Sequence, residues 1–436
     1  MNLTINETDV FPGENLIIDI NYNNTTQQNL SDCVIKISPD SNLGLPAITG
    51  KTGIVMNTGN NTAQFELGMI SANLAPGRYT AGVTLEKSGG ELISAASAAI
   101  NVIPEIGVKK IDNIYDFAEK QGALSLTLTN NSGEKQSASV KIFEETVLIS
   151  SEENIDIPAN GENLVYLLLP DVKISRELNL EIEVAYNKIT YRQSHEALFV
   201  MAAYQSSPLP VNINEIKTWE DRTVPIYRSG KDCIININNN NGVSYNGDGD
   251  ISAVLYFGWN EEHFYFGADV TDDVHIQQYN DGRIWGGDSI QLSVNTNVVE
   301  QSGNGLADSG AVNRTEIGFA LDCGGNTVVW FYASDRAGIS GNQTTQTDSV
   351  VMRDENEKRT VYMSKIPWKM FGADINEIRT GKIIAVAVTV NDRDIEDETN
   401  ASGTSTWNTQ KALGLYEGVA PDKDVKKHGQ LTLVMP

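Results

Sequence analysis

The sequence predicts an all-β chain of three β-sandwich domains in a row, spanning residues 1–103, 104–203 and 204–436. Helical periodicity is almost absent, and apolar residues instead alternate with polar ones over short runs such as NLIIDINY (15–22), CVIKIS (33–38) and ALSLTLTN (123–130). Clusters of Gly, Pro and Asn close these runs at the spacing of antiparallel sheets. The length, 436 residues with 40% apolar side chains and 37 glycines, suffices for several separately cored, loop-rich domains.

The first two domains are weakly similar to each other. In the first, Gly13 leads into a strand ending Asn21-Tyr22-Asn23-Asn24-Thr25, followed by a polar turn, CVIKIS and a Pro76-Gly77 turn. In the second, opened by Pro104, Gly122 leads into a strand ending Asn130-Asn131-Ser132, followed by a polar turn, SASVKIFE (137–144) and an Asn160-Gly161 turn. This order resembles the immunoglobulin-like modules that bacterial secreted enzymes string between catalytic and binding parts. The resemblance implies a spacer role. Ser206-Ser207-Pro208-Leu209-Pro210 then marks the passage into the third domain.

Charge and cysteine content narrow the partners and the chemistry. A formal charge of −25, from 32 Lys+Arg against 57 Asp+Glu, repels phosphate backbones and anionic membranes, so nucleic acid is a poor partner. No apolar run is long enough to span a membrane, and no membrane insertion is expected. Cys33, Cys233 and Cys323 are too scattered for a disulfide framework or a zinc site and read as buried free thiols, with a Cys233–Cys323 pairing the less favoured option. The polar, acidic, cysteine-poor composition suits an extracellular or cell-surface bacterial protein, and the chain reads as part of a longer exported parent with further domains.

All six tryptophans, Trp219, Trp259, Trp285, Trp330, Trp368 and Trp407, lie after residue 218. Indole faces suit flat apolar ligand surfaces such as the C–H side of a pyranose, so function is sought in the third domain. There, AVLYFGWNEEHFYFGADVTDD (253–273) predicts a hairpin turning at Asn260-Glu261-Glu262, its outer strand carrying Phe264, Tyr265 and Phe266. IWGGDSIQLSVN (284–295), NRTEIGFALD (313–322), YMSKIPWKMFG (362–372), IAVAVTVNDRD (384–394) and HGQLTLV (428–434) follow.

This series is similar to carbohydrate-binding module family 9. The matching places are Trp259 to Asp273, Trp285 to Leu292, Ile366 to Trp368, Val390 to Asp394, Trp407, and Gly429 to Leu433. The resemblance implies a larger β-sandwich that binds polysaccharide or oligosaccharide by clamping a sugar ring between two tryptophans, Trp285 and Trp407. It also implies polar partners, for which Arg283, Gln291, Arg314, Glu316 and Asn408 are the nearest candidates. The stretch 298–313 is longer and richer in Gly and Ser than the family pattern. Trp259, Trp330 and Trp368 lie in apolar strings and read as core, and Trp219 as a strand or loop residue at the sandwich edge.

Related modules carry structural calcium, and hard oxygen ligands gather at several strand ends here. Asp248, Asp250, Asp269, Asp272 and Asp273 are the candidate ligands. Further carboxylates cluster at Asp288 and at Asp392, Asp394, Glu396, Asp397 and Glu398. The competing reading is that these side chains cap turns. No organic cofactor is implied.

Catalytic motifs are missing: there is no GxSxG elbow, HExxH or P-loop, and His195, His263, His275 and His428 stand isolated. The leading expectation is a non-catalytic carbohydrate-binding region, ancillary to a glycoside hydrolase acting on O-glycosyl bonds. A structural surface stalk without sugar binding is the alternative. A haem-binding redox domain, using Met352 or Met363 with His263 or His275, is a lesser one.

Overall fold

The computed structural model describes residues 2–435 apart from 7, 27–28, 50–53, 72–73, 75, 171–174, 231–232, 238–244, 301–305, 309–313, 335–336, 395–409 and 420–423. The fold is nearly all β, as the alternating pattern predicts. Among the described residues the single α-helix is Ile216–Arg222, and no helix is long and apolar enough to cross a membrane.

The chain forms two compact units, one of residues 1–114, 123–170 and 178–197, the other of residues 115–122, 171–177 and 198–436. In the first unit, the sheet Asn2–Ile5, Asn15–Asn24, Gly59–Met69 shares a core with the sheet built on Leu30–Pro39, Gly77–Lys87 and Leu92–Val102. Alternate residues such as Leu16, Ile18 and Ile20 meet Ile35, Ile37, Val83 and Leu85 there. The predicted Asn-rich turns follow Asn24 and Asn130, whose side-chain oxygens accept from the backbone N–H of Thr26 and Ser132, respectively. Further along, Gln121–Asn130 pairs with Glu162–Leu168, and Gln136–Glu144 lies between Val147–Ile157 and Leu178–Tyr186.

Among the described residues the second unit is organised by one continuous sheet of 14 strands that folds back over its own core. Its first half runs Thr327–Ser334, Thr315–Leu321, Ser289–Asn295, Ile383–Arg393 and Gly429–Val434. Its second half runs Met201–Tyr204, Ile251–Trp259, His263–Asp272, Arg359–Pro367 and Asp348–Asp354. Met201–Tyr204 joins the halves, pairing in parallel with both Gly429–Val434 and Ile251–Trp259. Leu255, Phe257, Phe264 and Phe266 from one half meet Ile290, Leu292, Phe319, Phe331, Val386 and Val388 from the other.

The hairpin forms at the expected turn. Asn260 Oδ1 accepts from the backbone N–H of Glu262 and His263, setting Trp259 opposite Phe264. Its second strand is not an outer one, however, since His263–Asp272 also pairs with Arg359–Pro367. Both edges of that strand are therefore paired, and both of its faces are covered as well: Phe264 and Phe266 point into the core, and Tyr265 points to a second apolar layer.

That layer corrects the reading of Trp219. It sits on the short helix, fully buried, and packs over the outer face of this half with Leu209, Tyr256, Tyr265, Val361 and Met363. Ile213, Ile216 and Trp219, three residues apart, supply one apolar helical stripe. The layer covers the outer face of the second half. The outer face of the first half has a different composition.

Candidate functional site

On strands of the first half, one set of alternating residues feeds the core and the other set makes a face of small and polar side chains. Register places Trp330, Gly318, Gln291, Thr389 and Gly414 in one row across five neighbouring strands. Glu316, Ser293 and Ala387 form the next row on one side, and Ala320, Ser289, Asn391 and Ala412 the row on the other. Gly318 has to be small, because a Cβ there would stand 2.8 Å from the Tyr332 hydroxyl and 3.0 Å from Ile284 Cδ1.

A hydrogen-bond ladder crosses this face. Asn391 Nδ2 donates to Ser289 Oγ (3.1 Å) and Gln291 Oε1 (3.2 Å), and Gln291 Nε2 donates to Glu316 Oε1 (3.0 Å). Arg314 Nε stands 3.6 Å from Glu316 Oε2. Glu316, Gln291 and Asn391 are 1%, 4% and 5% exposed, so the chain fixes their orientation rather than solvent. Flanking the ladder, Ser293 Oγ and Thr389 Oγ1 are buried without a hydrogen-bond partner among the described residues. Each such group costs about 1–3 kcal/mol unless something completes it.

The rim carries aromatic rings. Trp285 lies on a 3-10 turn, Ile284–Gly286, and is 37% exposed. Trp330, Tyr332 and Tyr279 pack around Ile284, Ala320 and Val328 on the same outer side. Trp330 is thus not a member of the main core: Val329 and Phe331 take the core-facing places of its strand, which turns Trp330 outward. Its ring lies against Gly282, where a Cβ would be 3.0 Å from the indole nitrogen.

The candidate sugar contacts separate accordingly. Gln291, Arg314 and Glu316 come together on the polar face. Arg283 is exposed, engages Asp281 through paired bonds of 2.8–3.1 Å, and places its guanidinium 4.9 Å from the Tyr279 ring centroid. Trp407 and Asn408 lie outside the described residues, as do Glu396, Asp397 and Glu398. Of the loop 298–313, Val298–Glu300 pairs with Leu306–Asp308.

A second constellation closes one end of the sandwich core. Asp272, Asp288 and Asp392 each continue the core-facing parity of its strand, after Val270, before Ile290 and after Val390. They converge with Asp250, Asp273, Asp394 and His275 into three overlapping groups, each with ligand atoms within 4.8 Å of one another. Lys411 Nζ fills one group, at 2.5 Å from Asp250, 3.0 Å from Asp392 and 2.6 Å from Asp394. Arg353 reaches Asp272 at 3.0 Å. Burial, reinforced by the charge of Asp394, pushes Asp392 up to about 8 even with Lys411 pulling it down. Burial together with Asp272 and Asp392 also holds Asp288 well above the usual carboxylate range.

Asp248 and Asp269, the other two candidate ligands, lie outside these groups and have partners of their own. Asp248 accepts from Ser229, from Tyr245 (2.6 Å) and from Tyr227 (2.8 Å). Asp269 takes two 2.5 Å bonds from Arg359 on the outer face, one residue out of core parity. Sequence reasoning missed His275 as a member of the acidic group, because it reads as isolated until the fold brings Asp288 to it. Asp288, Asp392 and Asp394 were visible as carboxylates but not as core-facing ones.

Other residues are also placed. None of the three cysteines forms a disulfide; Cys33 and Cys233 are buried, while Cys323 is exposed rather than buried as expected. Of the residues weighed for haem, Met352 is exposed, Met363 packs in the Trp219 layer and His275 lies in the acidic group. His195 faces Asn113 at 2.8 Å.

His428 is 5% exposed, and burial pushes its imidazole down to about 4. A depressed histidine keeps its full stabilising contribution above about pH 6.5 and loses it as the pH falls through 4, because the buried ring must then charge. Wild type is expected to lose about 3 kcal/mol more between pH 7 and pH 4 than His428→Leu, as measured by urea denaturation at each pH.

No family model matches the chain, and no curated protein matches it. Among solved structures, it is similar to a family 9 carbohydrate-binding module from Caldicellulosiruptor kristjanssonii in complex with cellotriose, at 11% identity and a TM-score of 0.34, covering 54% of this chain and 94% of that one. A family 9 carbohydrate-binding module from the same organism in complex with glucose gives 12% identity and a TM-score of 0.32, over 54% and 96% of the two chains.

Proposed function

We propose that the second unit binds a carbohydrate, without catalysis, on the polar outer face of its first half-sheet. The observation that carries this reading is the Asn391–Gln291–Glu316 ladder flanked by the unpartnered hydroxyls of Ser293 and Thr389. A sugar hydroxyl both donates and accepts, so it complements such groups at fixed positions, while an exposed indole such as Trp285 covers the apolar face of a pyranose. In this reading the chain is an ancillary, exported part of a glycoside hydrolase, its first unit contributes immunoglobulin-like spacers, and binding raises the local concentration of a tethered catalytic domain at its polysaccharide. The carboxylates at the end of the core hold a divalent cation, with calcium the ion the oxygen donors suit.

Titration of tryptophan fluorescence with mono-, di- and oligosaccharides tests the site. Saturable binding is expected, weakened about tenfold or more in Trp285→Ala and roughly 10- to 100-fold in Gln291→Ala, which removes the hydrogen bond to Glu316 Oε1. The deep burial of Gln291 and Glu316 favours a second reading, a structural stalk whose ladder only braces the sheet. That reading is sustained if no sugar binds to the folded protein.

A further inference from the structure

The acidic end of the core contains one group unlike the others. Asp272, His275 and Asp288 mix two carboxylates with an imidazole. His275 Nδ1 stands 3.6 Å from Asp272 Oδ2 and 3.7 Å from Asp288 Oδ2, with the three side chains 10%, 4% and 5% exposed in the order histidine, Asp272, Asp288. These separations are too long for hydrogen bonds. They are close to the distance between two ligands of one tetrahedral ion, about 3.4 Å for bonds of 2.0–2.1 Å. Among the described residues neither nitrogen of His275 has a hydrogen-bond partner although both are buried, a rare state for an imidazole that has nothing to bind.

We propose that Asp272, His275 and Asp288 form a binding site for a divalent transition metal of the zinc class. The proposal rests on the reading that this end of the core binds a cation, and it sharpens that reading from a hard-oxygen ion to a mixed nitrogen and oxygen one. Calcium draws its ligands from oxygen and makes little use of imidazole, whereas zinc takes histidine and aspartate together. The neighbouring oxygen-only group of Asp250, Asp392 and Asp394 already encloses the Lys411 ammonium, so a metal there would have to displace it.

The protein has prepared the ligands for this role. Asp288 is oriented by the backbone N–H of Ile276 on Oδ2 and of Arg393 on Oδ1 (2.8 Å). Asp272 is oriented by the N–H of Val274 on Oδ1 (2.9 Å) and by Arg353 on Oδ2. Such outer partners aim carboxylate ligands in metal sites. Asp272 and Asp288 also stand at the two ends of the loop that carries Trp285, so a bound ion would tie that loop shut at its base.

The test uses the full chain stripped with a chelator and titrated with Co²⁺, then with Zn²⁺ and, separately, Ca²⁺. The expected result is a visible cobalt d–d band at one equivalent, displaced by Zn²⁺ but not by Ca²⁺, together with a zinc-dependent rise in Tm of roughly 5 °C. His275→Gln and Asp288→Asn should each lose the band while keeping the wild-type far-ultraviolet circular dichroism. X-ray absorption of zinc-loaded wild type, which needs no variant, should show one imidazole among oxygen ligands. Binding of Ca²⁺ without Co²⁺ or Zn²⁺ would overturn the assignment and leave the cation reading standing. Binding of no cation at all would overturn both, and a cobalt band that survives His275→Gln would overturn the ligand set.

Discussion

Lys411→Met is expected to destabilise the second unit by about 3–5 kcal/mol at pH 8, the usual cost of leaving buried charges without their partner. The ammonium is completely buried among Asp250, Asp392 and Asp394, and all three carboxylates contact it within 3.0 Å. The loss should be smaller at pH 5, and the sign follows from Asp392. A carboxyl raised to about 8 in the folded state contributes stability that is fully present below its unfolded pKa near 3.8 and is lost as the pH rises through 8. At pH 5 Asp392 already carries its proton, and Asp394, which burial raises and Lys411 holds down, takes up a proton more readily once the ammonium is gone; at pH 8 the same proton uptake costs more. Urea denaturation of wild type and variant at both pH values measures the difference. An equal loss at the two pH values would mean that the variant suffers from lost packing rather than unpaired charge.

The second large effect is expected at Trp219. Its ring is fully buried, it donates from Nε1 to the Pro210 carbonyl at 2.7 Å, and it packs edge-on to Tyr265. It also lies so close over Gly267 that a Cβ there would be 2.8 Å from Cε3. Trp219→Ala should therefore cost about 3–5 kcal/mol, from lost burial and from the cavity left over the sheet. Thermal unfolding followed by near-ultraviolet circular dichroism should show a drop of roughly 10 °C in the transition of this unit. The first unit contains no tryptophan, so its own unfolding does not contribute to the tryptophan signal, which reports the second unit alone. A drop of only a degree or two would show that the helix contributes little to holding the outer face.

Much of the sheet structure was legible because a strand buries alternate residues whatever it pairs with. IQLSVN, EIGFAL and IAVAVTVND each become strands whose Ile, Leu, Val and Phe residues face the core. The same parity already held information that local reading passed over. It sends Trp330 outward with Val328 and Tyr332, and it sends Asp272, Asp288 and Asp392 inward at the ends of three strands. Asp269 is one step out of that parity and so meets Arg359 on the outer face instead. The Ile213, Ile216, Trp219 spacing announced a short helix, but a two-turn signal is easily lost among strands.

The amino-acid order alone therefore settles that the chain is β, where its main hairpin turns, and which residues of each strand share a face, since all of these depend on neighbours within a few positions. Which faces come together depended on pairing between strands up to hundreds of residues apart. Asp250 and Lys411 are separated by 161 positions, yet they form one buried ion pair. His275 acquires Asp288 through the closing of a loop, and Gln291 acquires Glu316 and Asn391 through register across the sheet. A carboxylate becomes a candidate ligand or an arginine's partner according to what the tertiary structure sets within a few ångströms of it. Coulomb and hydrogen-bond energies act over that distance in space, with no regard for separation along the chain.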